Sequence, residues 1–319
     1  MIQLACIADG AFLRHTGAML HSALSHCGSE AVSIRVLHSA PIDDQDRARL
    51  EQVVSGFGAK LRFDRIDAAQ TAEFPSGYFP RSVWFRVLLP DLMPDADKVL
   101  YLDSDMIVTD DLRPLWSVEL EDHLLAAVTN PFYPFMPPYP RLKWGIEQPG
   151  DYFNSGVLLM NLRRMREEAT AAKLREFARI HTSCAYPDQD ALNVVCKGRW
   201  LHLHPRWNAQ STFFELKPEE LPVPPEQVAE AVQRPAVIHF IGPFKPWQYL
   251  CRHPRRELYF EHARQTPWGA PQLEGRNLRN AILRQLPFQW IDRWFEFERR
   301  IARRWQRLRA RLPPRPAGA

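Results

Sequence analysis

The sequence has no apolar run of the ~18 residues that a membrane-spanning helix needs. It also lacks the basic segment and apolar stretch of a secretory signal peptide. Cysteine is scarce: the five cysteines are odd in number and far apart, with no C-x-x-C pair. A disulfide framework and a zinc-cysteine cluster are therefore not expected. Together these absences predict a protein that is made and kept in the reducing cytoplasm.

Strong overall charge is also absent, since the 319 residues carry a net charge of only +4 and 45% of them are hydrophobic. Such a composition argues against disorder over most of the chain and suits one large domain or two small ones. The charge is nevertheless uneven. From residue 276 to the C-terminus there are twelve arginines, no lysine and three acidic residues, a net +9, so residues 1–275 carry a net −5.

This basic tail, residues 276–319, is also periodic. Its large apolar residues recur every three or four positions and so share one face of a predicted helix: Trp290, Trp294, Phe297, Ile301, Trp305, Leu308 and Leu312. A helix with aromatic residues on one face and arginines on the other is typical of attachment to an anionic membrane surface. Two alternatives stay open, a helix that packs on protein and, less favoured, a nucleic-acid-binding face. Membrane attachment would place the protein on the inner face of the cytoplasmic membrane.

Residues 1–250 alternate between strand-like and helix-like segments. Strands are predicted at Leu4–Ala8, Ser33–Leu37, Leu61–Ile66, Lys98–Leu102, Leu124–Thr129, Val157–Leu162 and Ala236–Ile241. Helices are predicted at His15–His26, Ser82–Leu89, Glu167–Ile180 and Asp190–Cys196. A further helix is predicted to begin after an N-cap at Asp43 or Asp44. This alternation predicts an α/β fold with a mixed, mostly parallel sheet, connected to the tail through residues 251–275. Two proline-rich segments, residues 131–149 and 218–225, are predicted to be long loops.

The sharpest chemical feature is a buried strand that ends in two carboxylates, Asp103 and Asp105. Residues at i and i+2 of a strand face the same side, so both can converge on one cation at the carboxyl end of the sheet, where ligands bind. Carboxylate oxygen suits Mg²⁺ and Mn²⁺, and such a cation stabilises a diphosphate as a leaving group. Alone, a D-x-D pair is common and often merely solvated, so its context decides.

Three further segments carry polar residues next to predicted strands or helices: residues 152–159, 186–190 and 239–247. In the third, His239 could be another metal ligand and Lys245 could meet phosphate as a point charge. Gly242 would let backbone amides come close to a ligand. A lone histidine is more often structural, but four segments of matching chemistry point to one site.

Taken in order, the motifs KVLYLDSDMIV, FNSGVLLMNL, YPDQDALN and HFIGPFKPW resemble those of glycosyltransferase family 8. The resemblance runs from Leu4 to about Trp247. Within this family, the sequence is most similar to the bacterial galactosyl- and glucosyltransferases that extend lipopolysaccharide or lipooligosaccharide. The resemblance implies a GT-A-type, Rossmann-like nucleotide-binding domain over residues 1–250, a UDP-hexose donor, Mn²⁺ or Mg²⁺, and retention of the anomeric configuration. It also implies a saccharide or lipid-linked saccharide acceptor.

The resemblance further implies roles for individual residues. The implied metal ligands are Asp103, Asp105 and His239. The implied donor- and nucleotide-binding residues are Asp9, Gly10, Ala11, Phe12, Arg86, Asp103, Ser104, Gly242, Pro243 and Lys245. The residues implied to surround the transferred sugar, and so the candidate catalytic set, are Asn154, Asp188 and Gln189.

Two positions depart from the family pattern. The family usually has an acidic or asparagine pair where this chain has Gly10 and Ala11, which removes side-chain contacts to uridine. An acid is often found where Asn130 stands, so the acceptor or the donor hexose can differ from the galactosyltransferase pattern. Two retaining routes stay open: attack by Asp188 as a nucleophile, or same-face transfer in which Gln189 positions the sugar, the favoured route.

Other classes compete with this interpretation. A haloacid-dehalogenase-type phosphatase also places D-x-D after an apolar strand, but it prefers Thr or Val where Ile107 stands. A catalytically weak homologue that keeps only UDP-sugar or membrane binding is a second rival, favoured by Gly10, Ala11 and Asn130. Nucleic-acid binding through the arginine-rich tail is a third, and its affinity would fall steeply with salt.

Overall fold

A computed structural model describes residues 1–75, 79–132 and 141–286 of the protein. The strands of this part of the chain are β1 (Ile2–Ile7), β2 (Val32–His38), β3 (Lys60–Arg65), β4 (Lys98–Leu102), β5 (Met106–Val108), β6 (Leu125–Ala127), β7 (Val157–Asn161), β8 (Trp200–His202), β9 (Ala209–Gln210) and β10 (Val237–His239). They form two sheets, one of seven strands and one of three.

The strands of the larger sheet lie in the order β3-β2-β1-β4-β7-β6-β8. β7 runs antiparallel to its neighbours β4 and β6, and the other adjacent pairs are parallel. The sheet is therefore mixed and mostly parallel, as the alternation of strands and helices predicted. Because β1 and β4 are parallel neighbours, their carboxyl ends lie at the same edge of the sheet, and Asp103 and Asp105 follow β4 there.

Helices cover both faces of this sheet. The α-helices are α1 (Leu13–Ser25), α2 (Asp44–Ser55), α3 (Leu89–Leu92), α4 (Arg113–Trp116), α5 (Leu162–Glu167), α6 (Thr170–Ile180), α7 (Pro187–Val195), α8 (Ser211–Glu215), α9 (Pro225–Gln233), α10 (Arg256–Arg264) and α11 (Leu278–Leu283). The 3₁₀ helices are Gly10–Phe12, Ala68–Thr71, Arg81–Leu88, Arg141–Trp144, Pro149–Asp151, Pro205–Asn208 and Pro218–Glu220.

Alternation along β4 divides the core into two layers. Leu100 and Leu102 pack into the layer that contains residues of α1 and α2, whereas Val99 and Tyr101 pack into the layer beneath α5, α6 and α7. Because successive side chains of a strand point to opposite faces, Tyr101 and the following Asp103 emerge on the same side. This register places Asp103 next to the second core layer.

The smaller sheet joins distant parts of the chain in the order β5-β10-β9. β10 is antiparallel to β5, with His239 opposite Met106. It is parallel to β9, with His239 opposite Gln210. The strand predicted at residues 236–241 is therefore present, but it lies in this small sheet and brings His239 next to the D-x-D segment.

Two predicted helices differ from the structure. The segment predicted as a helix from Ser82 to Leu89 is a 3₁₀ helix over Arg81–Leu88, and Pro90 lies in the first turn of α3 instead of ending a helix. Proline is tolerated there because its missing N–H has no partner in a first turn. The helix predicted from residue 167 to 180 is present as α6, but it begins three residues later, at Thr170, because α5 ends at residue 167 and Ala169, with φ +51°, precedes α6.

The chain forms two compact units. Among the described residues, the first comprises those within 1–246 and 253–271, and the second comprises residues 247–252 and 272–286. In the second unit the N–H of Glu274 donates to the carbonyl of Trp247, and the N–H of Tyr249 donates to the carbonyl of Glu274, both at 2.9 Å. The Asn277 side chain caps α11.

Several sequence predictions fall outside the described residues. These are the helix predicted in the basic tail beyond residue 286 and part of the first proline-rich loop, residues 133–140. The division at residues 250 and 275 also stays a prediction. Over residues 1–75, 79–132 and 141–286, no helix combines the length and apolarity that crossing a bilayer requires.

Candidate active site

The two carboxylates flank the short turn between β4 and β5. Tyr101, two residues before Asp103 on the same strand face, donates its hydroxyl to Asp103 Oδ1 at 2.7 Å. The guanidinium of Arg86 lies 2.9 Å from the same oxygen. With Oδ1 held by two donors, Asp103 presents Oδ2 towards Asp105 and His239, the other members of the cluster.

His239 reaches this cluster from the end of β10. Its Nε2 lies 3.4 Å from Asp105 Oδ1 and 4.0 Å from Asp103 Oδ2. One potential ligand atom from each of the three residues lies within 4.8 Å of the others. The N–H of Phe240 donates to the carbonyl of Asp105 at 3.0 Å, so the backbone of the small sheet holds the imidazole beside the carboxylates. The three predicted metal ligands are thus brought together.

The donor set suits a divalent cation. Two carboxylates and one imidazole are ligands that Mn²⁺ accepts, and carboxylates are also the preferred ligands of Mg²⁺. The other nitrogen of the imidazole, Nδ1, lies 3.0 Å from Asn208 Oδ1, a contact of the kind that orients metal-bound histidines. Gly156 leaves room for the ring, because a Cβ there would lie 2.4 Å from His239 Cε1 and 2.7 Å from Met106 Cε.

Lys245 balances the charge of Asp105. Its ammonium donates to Asp105 Oδ2 and, at 2.8 Å, to the carbonyl of Phe240. Burial acts to raise the pKa of the Asp105 carboxyl, but the charge of Lys245 and the contact with His239 outweigh burial and hold that pKa well below its usual range. Asp105 is therefore ionised at neutral pH, as a metal ligand must be.

Arg86 joins the carboxylates to a second buried acid. Its Nη1 donates to the carbonyl and hydroxyl of Ser155 at 2.7 and 3.1 Å, and its Nε lies 3.2 Å from Asp188 Oδ2. Its guanidinium carbon also lies 4.5 Å from the centre of the Tyr101 ring. Burial raises the pKa of Asp188 even though Arg86 acts to lower it. Asp188 is thus held by Arg86 and by the Ser155 hydroxyl at 3.0 Å.

The predicted sugar-facing amides form a buried hydrogen-bonded set. Asn154 Nδ2 donates to Asn130 Oδ1 at 3.1 Å and to Gln189 Oε1 at 3.2 Å. Gln189 Oε1 also accepts from the N–H of Ser155 at 3.0 Å, and its Nε2 donates to Tyr152 at 3.3 Å. Asn130, where the family often has an acid, is therefore a partner of Asn154.

A cavity of about 770 Å³, here called the main cavity, connects the carboxylates with the end of β1. Seven of the predicted site residues line it: Asp9, Phe12, Arg86, Asp103, Ser104, Asp105 and Lys245. The part formed by Arg86, Asp103, Asp105 and Lys245 is called the carboxylate end, and the part formed by Asp9 and Phe12 the Asp9 end. Of the remaining predicted residues, Gly10, Ala11, Gly242 and Pro243 are exposed outside the lining.

The Asp9 end is built around a turn. Asp9 Oδ1 accepts from the backbone N–H groups of Ser39 and Ala40 at 2.7 and 3.1 Å, and Oδ2 accepts from the Ser39 hydroxyl at 2.9 Å. Gly10 has φ +53° and a Cβ there would meet no atom within 4 Å. Phe12 is 46% exposed. The ring at this end is therefore open to solvent, unlike the buried guanidinium of Arg86 at the carboxylate end.

Ser104 secures the D-x-D turn to β1. Its hydroxyl donates to the carbonyl of Ile7 at 2.6 Å and lies 2.8 Å from the hydroxyl of Thr16 in α1. The residue lines the main cavity, but its hydroxyl is engaged with the protein. Ser104 therefore keeps β4 and β1 in register at the edge where the cavity opens.

A family model for glycosyl transferase family 8 matches residues 3–251. The chain belongs to this family. General stress protein A of Bacillus subtilis (strain 168) is 29% identical over 276 residues, which are 84% of this chain and 95% of that protein. The lipopolysaccharide 1,3-galactosyltransferase of Salmonella typhimurium (strain LT2) is 25% identical over 82% of this chain and 77% of its own length.

Solved structures of glycosyltransferases are also similar to this chain. The galactosyltransferase LgtC, in complex with donor and acceptor sugar analogues, has a TM-score of 0.74 at 28% identity and covers 83% of this chain and 96% of its own. These comparisons confirm the predicted membership of family 8 and the GT-A-type fold. The protein is therefore a family 8 glycosyltransferase homologue whose motifs meet around a possible metal site.

Sequence analysis missed three buried side chains that hold the family 8 motifs in place. Tyr101 donates to Asp103, Tyr152 accepts from Gln189, and Asn208 contacts both His239 and Asn154. For Tyr101 a signal exists, because it is two residues before Asp103 on a strand and must share its face. For Asn208 no local pattern exists, since it lies in a 3₁₀ helix more than thirty residues before His239.

Proposed function

We propose that the protein is a metal-dependent, retaining hexosyltransferase that moves galactose or glucose from a UDP-sugar to a saccharide acceptor of the lipopolysaccharide-core type. The observation that carries the proposal is the convergence of Asp103, Asp105 and His239 beside a cavity also lined by Lys245. The names of the lipopolysaccharide relatives support the acceptor class. The four family 8 motifs that contribute residues to the site support a UDP-sugar as the donor.

Asp103, Asp105 and His239 would hold Mn²⁺ or Mg²⁺, which when bound neutralises a diphosphate leaving group. Lys245 lies at the same edge and is the natural partner of a phosphate oxygen once its contact with Asp105 is exchanged. Arg86 holds Asp103 in place by direct contact. These side chains thus bind and orient the leaving group.

The same-face route to retention is the favoured one. A nucleophile needs an ionised carboxylate aimed at the anomeric carbon. One oxygen of Asp188, Oδ2, is engaged by Arg86 and by the Ser155 hydroxyl, and burial raises the pKa of this carboxyl, which disfavours the ionised form. Gln189 is oriented by the N–H of Ser155 and by Asn154, which suits an amide that positions the sugar.

Two further parts of the proposal concern regions around the site. Residues 242–247 would fold over the donor and limit hydrolysis by excluding water. Residues 276–319, connected through residues 251–275, would attach the catalytic domain of residues 1–250 to an anionic membrane surface. The enzyme would then act as a peripheral protein on the inner face of the cytoplasmic membrane, close to a lipid-linked acceptor.

A screen of UDP-sugars tests the donor and the metal together. We expect release of UDP from UDP-galactose or UDP-glucose with Mn²⁺ or Mg²⁺, its loss with EDTA, and its increase when a core oligosaccharide acceptor is added. Turnover that EDTA leaves unchanged would contradict the metal assignment. Binding of UDP without turnover of any sugar would support the catalytically weak homologue favoured by Gly10 and Ala11.

The route to retention needs its own experiment. Gln189→Ala should lower kcat strongly, because the amide is proposed to position the sugar, and no sugar–enzyme adduct should be seen by mass spectrometry. An adduct on Asp188 would establish the covalent route instead. Near-normal turnover of Gln189→Ala would remove Gln189 from the candidate catalytic set.

A further inference from the structure

One fully buried asparagine lies between the possible metal ligand and the amides proposed to surround the sugar. Asn208, at the end of the 3₁₀ helix Pro205–Asn208, is completely inaccessible to solvent. Its Oδ1 lies 3.0 Å from His239 Nδ1, and its Nδ2 lies 2.9 Å from Asn154 Oδ1. A single amide thus contacts both halves of the site.

The directions of the hydrogen bonds in this network are set by two backbone N–H groups, which can only donate. The N–H of Gly156 donates to Asn154 Oδ1 at 3.0 Å. Since that atom of Asn154 is an acceptor, its Nδ2 must face Asn130 and Gln189, whose Oε1 in turn accepts from the N–H of Ser155. The two N–H groups therefore leave the amide of Asn154 one favourable orientation.

This orientation propagates to the imidazole. Asn208 must present its NH₂ group to the oxygen of Asn154, so its Oδ1 faces His239. An oxygen there accepts only from a protonated Nδ1, which leaves the lone pair on Nε2, the nitrogen that faces Asp103 and Asp105. A metal ligand needs this form, because the coordinating nitrogen must carry no proton.

We propose that Asn208 is a positioning residue that holds His239 in the Nδ1-protonated tautomer and couples it to Asn154 and Gln189. This inference rests on the proposed function, since it assigns a metal to the Nε2 side. Asn208 would touch neither the metal nor the donor. It would act by making the metal-binding geometry and the sugar-binding geometry depend on each other.

Two substitutions separate the two contacts. In Asn208→Asp the carboxylate can still accept from Nδ1 but has no hydrogen to donate to Asn154. We expect Mn²⁺ affinity, measured from the EPR signal of the free ion with and without UDP, to stay within a few-fold of the wild type. We expect kcat to fall by about tenfold or more, because the amides at the sugar side lose their orientation.

In Asn208→Ala both contacts are lost. Mn²⁺ affinity should then fall by about 10- to 100-fold together with kcat, the range seen when outer partners of metal ligands are removed. Circular dichroism checks that both variants are folded. Asn161→Asp is the matched control, because it also replaces a donating amide by a carboxylate: the N-cap of α5 is kept and the bond to the His123 carbonyl is lost. It should leave affinity and kcat unchanged.

The outcomes distinguish this inference from the proposed function. Wild-type binding and turnover in Asn208→Ala would overturn the role of Asn208 while the proposed function stands. Equal losses of Mn²⁺ affinity in Asn208→Asp and Asn208→Ala would also overturn it, because the carboxylate keeps the contact to Nδ1. If the wild type itself bound neither Mn²⁺ nor UDP, the proposed function would fail.

Discussion

The two ends of the main cavity are built differently. At the carboxylate end, Arg86 is buried and makes contacts with Asp103, Asp188 and Ser155. At the Asp9 end, Phe12 is 46% exposed, and the two residues before it, Gly10 and Ala11, carry no polar group. The carboxylate end is therefore a buried set of charged contacts, whereas the Asp9 end consists of one acid held by Ser39 and Ala40 and one exposed ring. Substitutions at the two ends should therefore differ in how strongly they lower activity and in which constant, kcat or KM, they change.

The largest loss of activity is expected when a proposed metal ligand is replaced. Asp105→Asn removes the charge that faces both His239 and Lys245, so metal-dependent transfer should fall by about a thousandfold, or about 4 kcal/mol of transition-state stabilisation. Steady-state rates of UDP release with Mn²⁺ measure this. Asp97→Asn, a neutralised surface acid that is 76% exposed, should keep full activity. Equal activity in the two variants would remove Asp105 from the site.

The second largest loss of activity is expected when the guanidinium of Arg86 is replaced. Arg86→Lys keeps the charge but cannot contact Asp103, Asp188 and Ser155 together, so kcat should fall by about a hundredfold. Arg166→Lys is a suitable control, because Arg166 donates to the carbonyls of Met93 and Ala96 outside the site. That control should lower the free energy of unfolding while kcat is kept. A loss of stability alone in Arg86→Lys would make Arg86 a structural residue only.

A smaller effect is expected from crowding the imidazole. Gly156→Ala places a methyl group within 2.4 Å of His239 Cε1, so the ring must shift, and Mn²⁺ affinity should fall about tenfold. Calorimetric titration with Mn²⁺ measures the loss. Gly150→Ala, whose new methyl group would meet only the carbonyl of Pro222 at 3.8 Å, should bind Mn²⁺ normally. Normal binding by Gly156→Ala would mean that the ring position is not critical.

The smallest effect is expected at the Asp9 end. Phe12→Ala should raise the KM for the UDP-sugar about fivefold, which corresponds to about 1 kcal/mol of aromatic contact, and should leave kcat nearly unchanged. Phe57→Ala, which removes a ring of similar exposure, 42%, from another surface, should change neither constant. A large fall of kcat in Phe12→Ala would show that the two ends are energetically alike after all.

Most of the fold followed from local patterns. The strand over Lys98–Leu102 was predicted with its observed bounds, and Asp43 caps α2 as one of the two candidates. Predictions failed where a tertiary or backbone effect overrode the periodicity. The positive φ of Ala169 delays the start of α6 to Thr170, and the 3₁₀ helix Arg81–Leu88 keeps an apolar face although its backbone is wound more tightly.

The candidate site was predicted in the same uneven way. Asp103 and Asp105 are two residues apart, so strand geometry alone brings them together. His239 was a candidate from its motif and from family resemblance, but no local rule places it beside residues that precede it by more than 130 positions. The pairing of β10 with β5, with His239 opposite Met106, does this.

The sequence by itself determined which chemical groups exist and which neighbours share a face: a strand that ends in two acids, an amide-rich segment, a basic tail and membership of family 8. Only the tertiary structure decided how distant groups meet, because pairing between strands far apart in the chain sets the register of His239. It also decided that Asn208 lies between His239 and Asn154. Hydrogen-bond direction depends on which backbone N–H groups face an amide, and no one-dimensional pattern contains that information.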